Sequence, residues 1–199
     1  MPVIKRTSYF IVHDKQEFEV PFEPIEDSEK VTITGDKARV SFLAQDDATG
    51  WYFDDNDQGR YINFDPRCRG ERLDQEQAKE LIEANPDRAF RIDKYEHSGC
   101  VYYRQGSSVE ASIPDKRWDV STGVALFIVP DDASNPTEYC DSVMEEFTNW
   151  YNGDIYGICH VSYIKIDDAW KQVGDHESCW AFIGREYAEQ ELASEHSNA

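Results

Sequence analysis

The sequence predicts an α+β fold in which a mostly antiparallel sheet is packed by one long amphipathic helix. Short runs of β-branched and aromatic residues recur along the chain, which is typical of strands. Residues 136–152 carry apolar side chains at helical spacing. With 199 residues, 40% of them hydrophobic and 13% aromatic, the chain can bury a sizeable core. We expect a single domain over 1–199, in which 1–70 can form a β-rich subdomain and 71–199 the α+β core.

The N-terminal part is expected to be β-rich. Strands are predicted at 7–12, 31–34 and 38–43. Gly35 and Asp36 lie between the last two, and a two-residue connection containing glycine is typical of a β-hairpin.

The first clear helix is predicted over 73–85. Asp74 can accept a hydrogen bond at its N-terminus, and Gln77 stands three residues later, as in a capping box. Asn85 followed by Pro86 predicts its end.

Six further strands are predicted at 89–93, 100–104, 108–113, 124–129, 155–165 and 178–183. Residues 105–107 are interpreted as a hairpin turn, and 185–195 as a final polar helix. We expect the last three strands to share one sheet, covered by the helix at 136–152.

The helix over 136–152 has the strongest local signals in the chain. Ser134 or Asn135 can cap it, and Pro136 suits a first helical position. Its apolar stripe predicts three side chains buried against the sheet, namely Val143, Phe147 and Trp150.

The composition is strongly acidic, with 40 Asp and Glu against 20 Lys and Arg, a formal charge of −20. Residues 131–199 hold 15 of the acids but only three of the bases. Such a surface repels nucleic acid and attracts basic proteins. We therefore expect a nucleic-acid-binding protein with a basic groove as partner, and no direct binding to nucleic acid. The alternative is that the acidity serves only solubility.

No membrane span, cofactor or metal is expected. The chain has no run of 18 apolar residues and no signal-peptide pattern at its start. Five cysteines without a CxxC pair indicate reduced thiols. Residues 54–65 partly match a calcium-binding EF-hand loop, but position 12 is Asp65 instead of glutamate and neither flank is helical. A solvated acidic turn is favoured there.

No catalytic residue is predicted, so the chain is not expected to be an enzyme. His97 and Cys100 stand close in sequence, as do Cys159 and His160, but neighbouring strand residues point to opposite faces. The alternative is a small hydrolase or nucleotide-modifying enzyme with its site near His97 and Asp119. A hidden carboxylate pair is also open among so many acids.

The candidate partner-binding surface lies on and around the helix at 136–152. Glu138, Asp141 and Glu145 are spaced so that their carboxylates should lie about 5–6 Å apart on one face. Phosphates along one DNA strand are roughly 7 Å apart. The remaining predicted members are Asp131, Asp132, Glu146, Asp154, Asp167, Asp168 and Trp170. Trp170 and Trp51 are expected to be exposed aromatic anchors.

Four ordered blocks carry a family resemblance. They are YEHSGCVYY at 95–103, RWDVSTGVALFIV at 117–129, WYNGDIYG at 150–157 and ESCWAFIGREY at 177–187. The blocks resemble a group of phage and prophage proteins, mostly without assigned function, whose pattern reads YxHSG, WDSGxVGFI, LxGxVYG and DSCWGFYG. This chain departs from it by a longer loop at 119–123 and by Ala181 in place of glycine, and the first 70 residues match poorly.

The resemblance implies a phage or prophage origin and action in the host bacterial cytoplasm, but it brings no catalytic residues. Together with the charge it predicts an inhibitor of a host defence system, of the anti-CRISPR or antirestriction type, that mimics nucleic acid. A third alternative is an accessory phage protein whose acidity is incidental.

Overall fold

The computed structural model describes residues 8–47, 50–54, 56–64, 70–114 and 117–197. The chain divides into two compact units: unit 1 combines residues 1–48 with 153–199, and unit 2 comprises residues 49–152. The division does not fall near residue 70, because strands from the first 48 residues pair with strands from the last 47. The expectation of one domain over 1–199 stays a prediction.

The α+β class is confirmed, and the sheets are mostly antiparallel. In chain order the strands are β1 (Tyr9–His13), β2 (Gln16–Val20), β3 (Lys30–Thr34), β4 (Lys37–Gln45), β5 (Arg60–Asn63), β6 (Ala89–Glu96), β7 (Cys100–Arg104), β8 (Val120–Ile128), β9 (Ile155–Ile166), β10 (Ala169–Gln172) and β11 (Glu177–Ile183). The helices are α1 (Gln75–Ala84), α2 (Ser108–Ser112), α3 (Pro136–Tyr151) and α4 (Arg185–Ser197). Within the described ranges, no helix has the length and hydrophobicity that crossing a membrane requires.

Unit 2 is a four-stranded sheet in the order β5-β8-β6-β7 with α3 packed on one face. Its core is aromatic, because Phe147 of α3 packs among rings from the sheet, from the loop before β5 and from the end of α3 itself. The other members of that group are Trp51, Tyr52, Phe53, Tyr61, Tyr102, Trp150 and Tyr151. Helix α1 has the predicted capping box between Asp74 and Gln77.

Unit 1 is built on the long strand β9, which pairs with β4 on one side and with β10 and β11 on the other. Strand β3 extends the sheet beyond β4 through the hairpin predicted at Gly35 and Asp36. The β1-β2 hairpin contributes Ile11, Phe18 and Val20 to one core cluster. Helix α4 contributes Ala188 and Leu192 to another.

The prediction that three strands share a sheet under α3 is wrong. Strand β8 belongs to the sheet of unit 2, whereas β9 and β11 pair with each other in unit 1. Local pattern indicates that a segment is a strand but not which sheet it joins. Val143 and Phe147 are buried as predicted, and Trp150 is half-buried against the same core.

The strand predicted at 108–113 is also wrong, because these residues form the short helix α2. Gly106 adopts a positive φ of 78°, a conformation that glycine reaches without a Cβ clash. The Glu110 carboxylate then accepts a hydrogen bond from the Gly106 N–H at 2.6 Å. This local contact turns the chain into a helix instead of a second hairpin strand.

Candidate functional site

Helix α3 is fixed at its start and along its inward face. The Asn135 side chain accepts a hydrogen bond from the Glu138 N–H at 3.4 Å, and Pro136 occupies the first turn. The buried stripe comprises Cys140, Val143, Met144 and Phe147. Because this stripe faces the sheet, acidic residues at the intervening positions are directed outward.

Two of the predicted carboxylates remain free on α3. Glu138 and Glu145 are exposed, and neither forms an ion pair in the described part of the chain. Glu138 lines two shallow clefts, of about 410 and 430 Å³. One cleft also contains Glu145, and the other also contains Asp57 and Asp132, both exposed. These four residues, Asp57, Asp132, Glu138 and Glu145, form what we term the α3 acidic surface.

Asp141 is not a free member of this surface. Its two carboxylate oxygens accept hydrogen bonds from Arg104 Nε and Nη2, each at 2.9 Å, in a bidentate pair between α3 and β7. The Arg104 pKa is raised by this pairing with Asp141. Glu138, Asp141 and Glu145 therefore do not form a row of three unpaired carboxylates, since Asp141, whose side chain is 37% exposed, is paired with Arg104 within the fold.

Two further predicted acids lie beside other groups of unit 2. Asp131 lies 4.0 Å from Arg88 Nε, and its own side chain is fully exposed. Glu146 on α3 is half-buried, and the pKa of nearby Tyr52 is raised far above its usual value, first by burial and then by the Glu146 charge. The buried Tyr52 hydroxyl has no hydrogen-bond partner in the described structure, so Glu146 acts on it through its charge.

Asp154, Asp167 and Asp168 lie in unit 1, apart from α3 in the division of the chain. Asp154 accepts a hydrogen bond from the Tyr156 hydroxyl, whose pKa is raised to about 12 by burial and by this contact. Asp167 and Asp168 form the β9-β10 turn with φ values of 50° and 64°, and Lys165 lies 3.6 Å from Asp168.

The acidic C-terminal third is therefore not one region of the fold. Residues 131–152 belong to unit 2 and residues 153–199 to unit 1. Unit 1 has 19 acids and 9 bases, and unit 2 has 21 acids and 11 bases, so each unit carries a net charge of −10. The asymmetry visible along the chain disappears when residues are grouped by unit.

The two tryptophans expected as exposed anchors are packed instead. Trp170 stacks on Phe18 with ring centroids 5.4 Å apart, and its indole N–H donates to Gln16. Trp51 packs edge-on against Phe147 and Trp150 at 5.6 Å. Both rings stabilise their own unit, so the prediction that they are solvent-exposed is wrong. The most exposed tryptophan is Trp118, at 84%.

His97 and Asp119, the residues of the enzyme alternative, do meet. His97 Nδ1 lies 3.0 Å from an Asp119 carboxylate oxygen, and the Glu96 N–H donates to the Asp119 carbonyl at 2.9 Å. Such a pair orients an imidazole and leaves Nε2 able to exchange protons. However, the His97 side chain is 68% exposed, and it lines none of the four clefts of about 410 to 810 Å³ in the described part of the chain.

A second histidine cluster lies in unit 1 and was missed from the sequence. Ser41 Oγ is 2.8 Å from His160 Nδ1 and 2.9 Å from His196 Nδ1. His160 Nε2 is 2.8 Å from Glu195, and His196 Nε2 is 2.8 Å from Thr32 Oγ1. Strand pairing across β3, β4 and β9 creates the cluster, so sequence proximity gave no signal. The alternation of Ser41 with Leu43 and of His160 with Ile158 could have placed both on one face.

The cysteines do not offer a nucleophile at the predicted alternatives. Cys100, Cys140 and Cys159 are buried thiols. Burial raises the pKa of Cys140 and of Cys159 to about 12, so these two are protonated at neutral pH. Within the described ranges, no three His, Cys, Asp or Glu side chains come together in a way that could hold a metal ion. Cys68 lies outside those ranges, and so does Asp65, the last residue of the EF-hand-like segment.

Residues of the four resembling blocks make packing contacts. The ring of Trp180 lies over Gly157, where a Cβ would be 2.1 Å from Trp180 Cε3. The Asn152 amide group bonds to both the N–H and the carbonyl of Cys100, at 2.9 and 2.7 Å. Ala181, where the resembling group has glycine, has a φ of 70°. Comparison of the chain with protein-family models, known proteins and solved structures gave no match in any of the three.

Proposed function

We propose that this protein is a phage-encoded inhibitor of a host nucleic-acid-binding defence system, and that its α3 acidic surface occupies the basic groove of that target. The observation that carries the proposal is that Glu138 and Glu145 stay exposed and unpaired in the described part of the chain. Asp141, between them on the same helix, is instead neutralised by Arg104.

Electrostatics gives these carboxylates a means to bind a basic partner. Glu138 and Glu145 gain no ion pair within the described chain, so their charges are not neutralised by it. A basic partner supplies the missing cations, and complementary charge across an interface accelerates association.

The surface is suited to charge complementarity and does not reproduce the spacing of phosphates. Because Asp141 is paired with Arg104, the unpaired carboxylates are those of Glu138 and Glu145. These two residues lie two helical turns apart, roughly 10 Å along the axis. Asp57 and Asp132 continue the charge along the cleft beside the start of α3. We infer that the groove of the target meets a field of carboxylates around two clefts.

The phage origin, the anti-CRISPR or antirestriction class and the site of action in the host bacterial cytoplasm rest on the four-block resemblance. One observation favours the alternative of a small enzyme, namely the contact between His97 and Asp119. That dyad has no substrate cleft among those found in the described chain, so the inhibitor is the function that the geometry supports better.

Inhibition of DNA cleavage tests the proposal. Purified protein is added to a panel of CRISPR effectors and restriction enzymes, and cleavage of a target duplex is measured against protein concentration and salt. We expect inhibition of at least one enzyme that is relieved by excess DNA. It should also weaken as salt rises, because the attraction is screened over about 8–10 Å near physiological ionic strength. Inhibition that ignores both DNA and salt contradicts binding by charge in the nucleic-acid groove.

A further inference from the structure

The sheet of unit 1 extends past the residues that α4 covers. On this face the register aligns Leu43 of β4 with Ile158 of β9, and both pack with α4. Farther along β4, Ser41 meets the end of α4 through His196. The next positions outward are Arg39 and then Lys37, which lie beyond that contact.

A cleft of about 440 Å³ lies on this uncovered part of the sheet. Its volume falls in the range of small-molecule sites. The polar groups that line it are Thr32, Thr34, Lys37, Arg39, Ser162 and His196. No aspartate or glutamate of the described chain belongs to the lining, although the protein as a whole has twice as many acidic as basic residues. Two cations, a histidine and three hydroxyls therefore converge in a strongly acidic protein.

Arg39 has unused hydrogen-bonding capacity at this cleft. Its Nε is buried and has no hydrogen-bond partner in the described structure. Its Nη2 lies 3.6 Å from Glu177, an ion-pair distance that is too long for a hydrogen bond. A buried donor without a partner costs free energy. The Arg39 side chain is 29% exposed, so an oxygen ligand in the cleft can reach its guanidinium, which is suited to bidentate contact with phosphate.

His196 faces the same concentration of positive charge. Glu195 is acceptor-only when ionised, so His160 donates to it from Nε2. The other three contacts join the Ser41 and Thr32 hydroxyls to ring nitrogens, and a hydroxyl can either donate or accept. Each of these contacts is satisfied with His196 neutral.

The pKa of His196 is lowered, first by burial and then by the charges of Arg39, His160 and Lys30. The acidic groups that face this cluster are Glu195, which pairs with His160, and Glu177, which pairs with Arg39. An anion in the cleft would offset the repulsion from Arg39 and Lys30.

We propose that this cleft binds the phosphate group of a small phosphorylated molecule, with Arg39 and Lys37 as the charged contacts and the Thr34 and Ser162 hydroxyls as further donors. His196 lies beside the bound anion, and the negative charge of the anion favours the protonated form of its imidazole. This site goes beyond the function proposed above and uses none of the residues of the α3 acidic surface, so either proposal can fail without the other.

Titration with inorganic phosphate tests the site. Binding is followed by imidazole NMR signals of His196 at constant ionic strength, with sodium chloride as the balancing salt. We expect saturable binding at millimolar phosphate and a higher pKa of His196 in the saturated protein, because a nearby anion stabilises the imidazolium. Lys37→Gln should weaken phosphate affinity by about tenfold, the factor that corresponds to losing one charge-assisted hydrogen bond.

Lys171→Gln is the matched control, since Lys171 is an exposed lysine of the same unit outside the lining of the cleft. It makes the same change in net charge and should leave phosphate affinity unchanged. Arg39→Gln should weaken binding at least as much as Lys37→Gln, and the exposed position of Lys37 keeps the test independent of any folding defect at Arg39. An unchanged His196 pKa at saturating phosphate, or equal weakening by Lys37→Gln and Lys171→Gln, would overturn the proposal.

Discussion

Helices α3 and α4 each pack on a sheet, but they bury different amounts of apolar side chain. Helix α3 buries four apolar side chains among aromatic rings. Helix α4 contributes Ala188 and Leu192 to its core cluster, and near its C-terminal end Glu195 and His196 bond to the strands. Both helices hydrogen-bond to strands, α3 through Asp141 and Thr148, but α3 has the larger apolar attachment.

The difference decides which polar groups each helix has available for a partner. Among the acids of α4, Glu195 bonds to His160 of β9, and Glu189 pairs with Arg185 of the same helix. On α3 the apolar stripe and the Asp141–Arg104 pair attach the helix, and Glu138 and Glu145 stay exposed without an ion pair in the described chain. We infer that a helix attached by burial can present a functional charged face at little structural cost.

The largest expected effect comes from the centre of the α3 attachment. Phe147 is 1% exposed and contacts seven other aromatic rings. Phe147→Ala should lower the free energy of unfolding by about 3–5 kcal/mol, because it removes burial and leaves a cavity. Urea denaturation measures the change. Phe10→Ala is the control, since Phe10 is 54% exposed and its loss should cost within about 0.5 kcal/mol. Similar losses for both variants would contradict attachment through this aromatic core.

A smaller effect is expected at the polar attachment of α4. Ser41→Ala leaves the Nδ1 atoms of His160 and His196 without their shared hydroxyl partner. The free energy of unfolding should fall by about 1–3 kcal/mol, the cost of an unpaired buried polar group. Amide hydrogen exchange should show the loss concentrated in α4. Ser162→Ala, at an exposed serine of β9 on the same face, should change little. If α4 exchanges at the same rate in Ser41→Ala and wild type, the hydrogen bonds do not hold it.

A still smaller effect should appear as pH dependence. The pKa of His196 is lowered by folding, so the unfolded chain binds this proton more readily. The contribution is fully present above the unfolded pKa of about 6.5 and is lost as the pH falls toward the lowered folded value. His196→Asn, which keeps a donor toward Ser41, should flatten the decline in unfolding free energy below about pH 6.5. Parallel curves for variant and wild type would show that His196 does not titrate differently on folding.

The difference between local and long-range contacts explains which features the sequence could predict. Helix α3, with its cap at Asn135 and its stripe through Phe147, was predicted almost to the residue, because both signals are local. The assignment of β8 and β9 to one sheet failed, because strand partners are chosen by tertiary packing. The Ser41 and His160 contact joins positions 119 residues apart, so no spacing in the sequence indicates it.

The candidate site was predictable in part for the same reason. Outward positions on α3 follow from helical periodicity, which placed Glu138 and Glu145 correctly. The neutralisation of Asp141 depends on Arg104 in β7, and the packing of Trp170 depends on Phe18 in β2. These partners lie in other strands, so helical spacing could not indicate the pairing of Asp141, and the acidic loop around Trp170 could not indicate that its ring is packed.

Charge reversal on the α3 acidic surface tests the central claim most directly. The variant carries lysine at Asp132, Glu138 and Glu145. The control carries lysine at Glu76, Glu80 and Asp87, three exposed acids of the same unit that raise the net charge equally. Both proteins should unfold near the wild-type midpoint, since exposed substitutions cost within about 0.5 kcal/mol each. In the DNA-cleavage assay with a sensitive enzyme, the first variant should lose inhibition and the control should retain most of it. Equal inhibition by both folded variants, or equal loss in both, would show that the α3 acidic surface is not the binding surface.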